Sequence, residues 1–188
     1  MGETASQRDG REGSMTRPRR IWWARPRKLC ALERPGGGGR SHRSERRAAE
    51  IEYLTAGGVR LVVSTMRTRH GIADYESAGL EWHHLPVASA AAGAEALEEL
   101  VPLLRRELRR AGAVAVHGDL RTDFVAAVCA AHLHEARGID PAAGLHAAAE
   151  AGLEVTPDAA ALLGVDYEDV QPRSPMAAAT SSGRSVTT

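Results

Sequence analysis

AVAVHGDLRTDFVAAVCAAHLHEARG, residues 113–138, decides the fold of this chain because it reads as a strand, a tight turn and a helix. Its first four residues form a short apolar run, which is typical of a strand that is covered on both faces. Phe124, Ala127, Val128 and Ala131 then recur at helical spacing. A buried strand that leads directly into a helix predicts an α/β fold.

The turn between this strand and this helix, residues 117–122, is the predicted ligand site. In α/β folds, ligands bind at the carboxyl ends of the strands. The N–H groups at the start of a helix have no partner within the helix and the helix dipole is positive there, so an anion is favoured. Arg121 adds a permanent positive charge with a planar fork of donors.

The remaining hydrophobic patterns alternate between strands and helices, and they predict a central, mostly parallel sheet flanked by helices. Asp-Pro and Thr-Pro pairs mark the starts of the last two helices, because each supplies a cap and a first-turn proline. The other predicted strands are 21–31, 59–64 and 80–87, and the first of them is an edge strand, which tolerates Pro26. The other predicted helices are 44–56, 72–78, 94–111, 140–151 and 156–163.

Length and composition indicate one domain with tails. The chain has 188 residues, of which 43% are hydrophobic, and this is enough for a proper core. Basic residues are concentrated before residue 48 and acidic residues after it, although the formal net charge is zero. We predict a disordered basic arm at 1–20, one domain at 21–168 and a disordered tail at 169–188. The arginines of the arm are interpreted as a solvated tail, so we predict no nucleic-acid partner.

Cysteine usage favours an intracellular, cytoplasmic protein. Cys30 and Cys129 are far apart and form no Cys-x-x-Cys motif, so neither a zinc site nor a disulfide framework is indicated. Cys129 lies inside the predicted central helix, where a thiol is buried and inert. No segment approaches the roughly 18 apolar residues of a membrane span, and the N-terminus lacks the apolar core of a signal peptide. We therefore predict no membrane association.

The central unit resembles the signature of the cysteine-dependent dual-specificity and tyrosine phosphatases. That signature reads His-Cys, five residues and Arg-Ser/Thr, and its two ends match Val116-His117 and Arg121-Thr122. The passage AGLEWHHLPV, residues 78–87, is similar to the family's passage that leads to its acid loop. The resemblance implies a phosphatase-like single domain. It also implies that phosphate is bound by the turn residues His117, Gly118, Asp119, Leu120, Arg121 and Thr122.

The chain departs from the family's catalytic pattern in three ways. Gly118 stands where the nucleophilic cysteine belongs, and Ser89 stands near the position of the Asp that protonates the leaving oxygen. Only Asp119 and Leu120 separate Gly118 from Arg121, so the loop is three residues shorter than in the signature and offers fewer amides to a phosphate. Asp119 also places a negative charge in the turn, and this charge repels an anion.

These departures predict a catalytically degenerate domain, a pseudophosphatase, that binds a phosphorylated ligand or a protein partner and uses no cofactor. Two alternatives stay open. One is a weak or divergent phosphatase that hydrolyses phosphate monoesters, with Asp119 or a histidine in the role of the cysteine. The other is a structural interaction domain with a vestigial pocket, in which Arg121 caps a neighbouring carbonyl or pairs with Asp119.

A second constellation consists of His83, His84, His117 and Asp119. Three imidazoles and a carboxylate suit a divalent metal. Consecutive histidines on a strand point to opposite faces, however, and the resemblance accounts for His84 and His117 as hydrogen-bonding residues. We therefore predict no metal site.

Overall fold

The computed structural model describes residues 15–37, 44–69, 71–119 and 121–171. Five strands form one sheet: β1 (Ile21–Arg25), β2 (Leu29–Glu33), β3 (Val59–Ser64), β4 (Glu81–His84) and β5 (Ala113–Gly118). The described α-helices are α1 (Ser44–Ala56), α2 (Ile72–Ser77), α3 (Ala94–Glu107), α4 (Asp123–Arg137), α5 (Pro141–Glu150), α6 (Pro157–Leu162) and α7 (Tyr167–Val170). A short 3₁₀ turn, Ala90–Ala92, precedes α3.

The sheet confirms the predicted α/β class. Its strand order is β1-β2-β5-β3-β4; β1 and β2 pair antiparallel, and every other neighbouring pair is parallel. The predicted central strand, β5, lies in the middle of this order and is buried along its whole length. Parallel strands that are covered on both faces read as continuous apolar runs, which explains the residues 113–116.

Two hydrophobic cores cover the two faces of the sheet. Val114 and Val116 of β5 belong to the core that contains α4, whereas Ala113 and Ala115 belong to the core that contains Ile51 of α1. The α4 residues 124–130 are all buried, because α3, α5 and α6 pack on the sides of α4 that the sheet leaves open. A helix that is apolar all round is expected at such a position.

The prediction of one strand over 21–31 is wrong, because this segment forms the β1–β2 hairpin. Pro26 has no N–H for a strand ladder, and Arg27 adopts a left-handed conformation with φ 56° in the turn. The predicted helix over 94–111 ends earlier, at Glu107. The other predicted helices and strands are present with small shifts of their ends, and the structure adds one helix that was not predicted, α7.

The boundaries of the predicted arm and tail lie close to the limits of the described structure. Residues 1–14 and 172–188 lie outside the described residues, so the disorder predicted for them stays a prediction. Pro18 is buried, and Val170 of α7 is buried in the α4 core, with its carbonyl oxygen 2.9 Å from His146 Nδ1. In the described part of the chain, no helix is both long and apolar enough to cross a membrane.

Candidate functional site

A cleft of about 510 Å³ opens at the carboxyl edge of the sheet, where the turn after β5 lies. Three segments line it: the loop after β3 (65–68), the loop after β4 (87–89) and the β5–α4 turn, which contributes Gly118, Asp119 and Arg121 together with Asp123 and Phe124 of α4. Because the carboxyl ends of parallel strands meet at one edge, these loops converge. The predicted sites Gly118, Asp119, Arg121 and Ser89 therefore lie in one cleft.

Backbone hydrogen bonds hold the three loops together. The N–H of Thr65 donates to the carbonyl of His117 at 2.9 Å, and the Thr65 hydroxyl donates to the same oxygen at 3.1 Å. The N–H of Val87 in turn donates to the carbonyl of Thr65 at 3.0 Å. The floor of the cleft is therefore fixed by the strand ends themselves.

Gly118 ends β5 and is buried. A Cβ atom at this position would overlap the carbonyl oxygen of Arg121, because the turn folds back over the end of the strand. Real Cβ atoms do not tolerate such an approach, so the turn requires a residue without a side chain. The turn therefore leaves no room for a side chain at residue 118, where the sequence resemblance predicts the position of the family's nucleophile.

Asp119 is paired, but not with Arg121. Its Oδ1 lies 3.0 Å from Nε of Arg34, whose side chain is 10% exposed and which also donates to the carbonyl of Gly37 at 2.8 Å. The guanidinium of Arg34 offsets the negative charge of Asp119, so the expected repulsion of an anion is weaker than the sequence suggested. The alternative in which Arg121 pairs with Asp119 is wrong.

Two arginines line the cleft with their charge uncompensated. Arg121 and Arg67 are both exposed, and neither hydrogen-bonds or ion-pairs with any residue of the ranges that the structure describes. Ser89, near the position predicted for a general acid, also lines the cleft and precedes the 3₁₀ turn. A serine hydroxyl has no accessible pKa for protonating a leaving group, so it acts only as a neutral hydrogen-bonding group.

His117 was predicted to bind phosphate, but its side chain does not line the cleft. The ring is buried on the other side of β5, with Nε2 3.0 Å from the Tyr75 hydroxyl and Nδ1 3.3 Å from the carbonyl of Gly118. Burial lowers the pKa of His117 to about 4, so the ring is neutral near pH 7. Burial also raises the pKa of Tyr75, whose hydroxyl therefore stays protonated and donates to Nε2. His117 fixes the strand end and does not face a ligand.

The start of α4 is bound to the α5–α6 loop. The hydroxyl of Thr122, which is fully buried, accepts the N–H of Glu154 at 2.7 Å, so this predicted phosphate ligand also faces away from the cleft. Asp123 Oδ2 accepts the Thr156 hydroxyl at 3.2 Å, and Oδ1 accepts the N–H of Phe124 at 2.9 Å. One of the N–H groups at the start of α4 is therefore bound to the carboxylate of Asp123, so fewer donors remain for an anion than predicted. Leu120, the remaining predicted ligand, lies outside the described residues.

The histidines of the second constellation have separate partners. His84 Nε2 lies 2.8 Å from the carbonyl oxygen of Met66, and His83 Nε2 lies 3.6 Å from Glu99 Oε1 on α3. Within the described ranges, no group of three or more His, Cys, Asp or Glu side chains is arranged to hold a metal ion. Cys30 and Cys129 are free and buried, and burial raises the pKa of each thiol.

Sequence reasoning missed several cleft residues, namely Thr65, Met66, Arg67, Thr68 and Asp123. The segment TMRTR, residues 65–69, follows a predicted parallel strand directly, as the turn after β5 does. Two polar segments at the ends of neighbouring parallel strands are a signal for one shared site. That signal depends on knowing that β3 and β5 are neighbours.

Sequence comparison finds no match, whereas comparison of the fold finds solved structures with a similar fold. No protein-family model and no curated protein match the chain. Human DUSP28 superposes with a TM-score of 0.60 at 24% identity, over 80% of this chain and 93% of that chain. TpbA of P. aeruginosa in complex with pTyr gives 0.62 at 18% identity, over 85% and 90%. PTPMT1 in complex with PI(5)P gives 0.59 at 16% identity, over 77% and 92%. By its strand order, its helices and these superpositions, the chain has the fold of the dual-specificity and tyrosine phosphatases.

Proposed function

We propose that this domain binds a phosphoryl group in the cleft without hydrolysing it. The observation that carries the proposal is Gly118, where a side chain would overlap the carbonyl of Arg121. Covalent phosphoryl transfer needs an activated nucleophile in contact with the phosphorus, and the sequence resemblance implies that residue 118 would present it. The turn leaves no space for the side chain of a cysteine at residue 118.

The other requirements of catalysis are also weakened. A cradle of amides stabilises the transferring group, but the N–H of Phe124 is already bound to Asp123. A general acid must donate a proton near neutral pH, and Ser89 has no such proton. Asp119 and Asp123 line the cleft but accept donors from within the protein, Asp119 from Arg34 and Asp123 from Thr156. These groups hold the turn together.

Binding of a phosphoryl group is supported by Arg121. Its guanidinium is exposed beside the turn, and the structure gives it no partner among the described residues. Arginine matches the geometry of phosphate through two parallel N–H···O contacts. The hydroxyl of Ser89, which also lines the cleft, adds a neutral donor. The structure of TpbA with pTyr supports a phosphorylated ligand for this cleft by analogy of fold alone.

Calorimetric titration of the full chain with phenyl phosphate at low salt tests the proposal. We expect Arg121→Ala to weaken binding by about tenfold or more, because a charge-assisted contact is lost. Arg105→Ala is the matched control, since Arg105 is an exposed arginine on α3 that does not line the cleft, and we expect it to leave binding unchanged. If wild-type protein binds no phosphate ester, the domain is an interaction module with a vestigial pocket.

A turnover assay tests the absence of hydrolysis. We expect no release of phosphate from an aryl phosphate above background. Hydrolysis that persists in a Cys30→Ser/Cys129→Ser double variant and disappears in Arg121→Ala would establish a divergent phosphatase and overturn the proposal. Because both thiols are buried, the double variant also needs a melting curve to show that it is folded.

A further inference from the structure

The cleft contains a second uncompensated cation besides Arg121, and this cation bears on the ligand's chemistry. We infer that the ligand is a compact small molecule with two phosphoryl groups, one held by Arg121 and the other by Arg67. The inference rests on the proposed binding of a phosphoryl group at Arg121. A cleft of about 510 Å³ lies within the usual range for small-molecule sites.

The charges of the described residues at this edge of the sheet single out Arg67 and Arg121. Arg34 is paired with Asp119 at 3.0 Å, and Arg47 is paired with Asp74 at 2.8 Å. Arg67 and Arg121 both line the cleft, and the described part of the structure offers neither of them a carboxylate. Arginine holds a phosphoryl group through a bidentate contact, so the two free guanidinium groups of this cleft can hold two phosphoryl groups.

Asp123 is the one negative charge at the cleft that no arginine offsets in the described structure. Its two oxygens accept the N–H of Phe124 and the hydroxyl of Thr156, and its position in the first turn of α4 is favourable for a carboxylate because of the helix dipole. Asp123 is 1% exposed, and both of its carboxylate oxygens accept hydrogen bonds from within the protein. It lowers the net charge of the cleft without pairing with either free arginine.

The loop that carries Arg67 is anchored on the side of β3. Before it, Thr65 donates to His117, and the carbonyl of Met66 lies 2.8 Å from His84 Nε2. Arg69, two residues after Arg67, is exposed and does not line the cleft. Arg67 is thus presented to the cleft by a backbone that is already fixed, which reduces the entropy lost when a ligand is bound.

The test compares affinities of the full chain for three probes by calorimetry at one ionic strength. The probes are phenyl phosphate, fructose 1,6-bisphosphate and a peptide with two adjacent phosphorylated residues. We expect the bisphosphate to bind about tenfold more tightly than the monophosphate, as one more charge-assisted contact predicts. We expect Arg67→Ala to reduce this ratio to near one.

Arg69→Ala is the matched control because it removes an equal charge two residues away, and we expect it to keep the ratio near ten. A ratio near one in wild-type protein overturns the inference, as does an equal loss in Arg67→Ala and Arg69→Ala, which indicates general electrostatic attraction. Tighter binding of the peptide than of the bisphosphate overturns the small-molecule assignment. If phenyl phosphate binds and Arg121→Ala abolishes that binding, these failures leave the proposed function intact.

Discussion

Replacing Gly118 tests whether the absence of a cysteine at residue 118 is a local change or a property of the whole turn. If the thiol were the only element missing, Gly118→Cys would place it between His117 and Arg121 and restore activity. The structure predicts otherwise, because a Cβ atom at residue 118 overlaps the carbonyl oxygen of Arg121. We expect Gly118→Ala and Gly118→Cys to destabilise the fold, and Gly118→Cys to remain inactive.

The loss of stability depends on how little residue 118 and the Arg121 carbonyl can move apart. The end of β5 is held by two backbone hydrogen bonds, from Arg34 N–H to the carbonyl of Gly118 at 2.9 Å and from Thr65 N–H to the carbonyl of His117 at 2.9 Å. On the other side, the turn runs into α4, whose start is bound to Glu154 through Thr122. Overpacking of a fixed site costs about 1–3 kcal/mol. For a domain of this size, ~2 kcal/mol lowers the melting temperature by roughly 4–8 °C.

Thermal unfolding, followed by circular dichroism, measures this cost. Gly57→Ala is the matched control, because its Cβ atom would lie 3.3 Å from the Leu54 and Tyr53 carbonyl oxygens and needs only a small adjustment. A second variant inserts three small residues after Asp119 in the Gly118→Cys background. The longer turn relieves the overlap, so we expect this variant to melt higher than Gly118→Cys alone.

Activity is measured as single-turnover release of phosphate from an aryl phosphate, with trapping of a phosphocysteine intermediate. A stoichiometric burst from Gly118→Cys alone would refute the argument about the turn. So would a melting temperature of Gly118→Ala equal to that of the wild type, because the overlap would then be absent in solution. Activity in the extended variant is expected only when Ser89→Asp is added, since the acid is a separate missing group.

Two further predictions concern stability. His117 and His132 are buried, and burial lowers the pKa of each to about 4 from an unfolded value of about 6.5, so the unfolded chain binds more protons between these values. The free energy of unfolding is therefore unaffected by these histidines above pH 6.5 and decreases as the pH falls from 6.5 to 4, which chemical denaturation across this range should show. His132→Leu should make this decrease smaller, because neither ring nitrogen of His132 has a hydrogen-bond partner in the described structure. Glu50 is 1% exposed and accepts hydrogen bonds from the N–H of Gly36 and from Nε of Arg46, both at 2.7 Å. Glu50→Ala should therefore lower the free energy of unfolding in urea by about 1–3 kcal/mol, whereas Glu52→Ala, on the exposed side of α1, should lower it by less than about 0.5 kcal/mol. Equal losses in the two variants would contradict this structural role of Glu50.

The fold was predictable because its signals are local. The apolar run before Gly118 and the helical spacing after Phe124 each depend on residues within one element. Caps such as Asp140, whose side chain accepts the N–H of Ala142 at 3.1 Å, are also local. The hairpin at Pro26 was missed because alternation continues through the turn and only the left-handed Arg27 breaks it.

The site was predictable only in part, because its geometry depends on residues far apart in the sequence. Asp119 was expected to repel an anion, but its charge is offset by Arg34, which directly follows β2, the strand that pairs with β5. Thr122 was expected to face the ligand, but the N–H of Glu154 draws its hydroxyl towards the α5–α6 loop. Neither partner belongs to a motif, so no spacing in the sequence indicates either contact.

The structure also connects two features that the sequence presents as independent, the missing cysteine and the short loop. Only two residues separate Gly118 from Arg121, and the Arg121 carbonyl oxygen lies where a Cβ atom of residue 118 would be. That position is open only because residue 118 has no side chain. A cysteine would exclude the short turn, and the short turn excludes a cysteine. The two features are therefore coupled: Arg121 is exposed in the cleft, while its carbonyl oxygen occupies the space that a side chain at residue 118 needs.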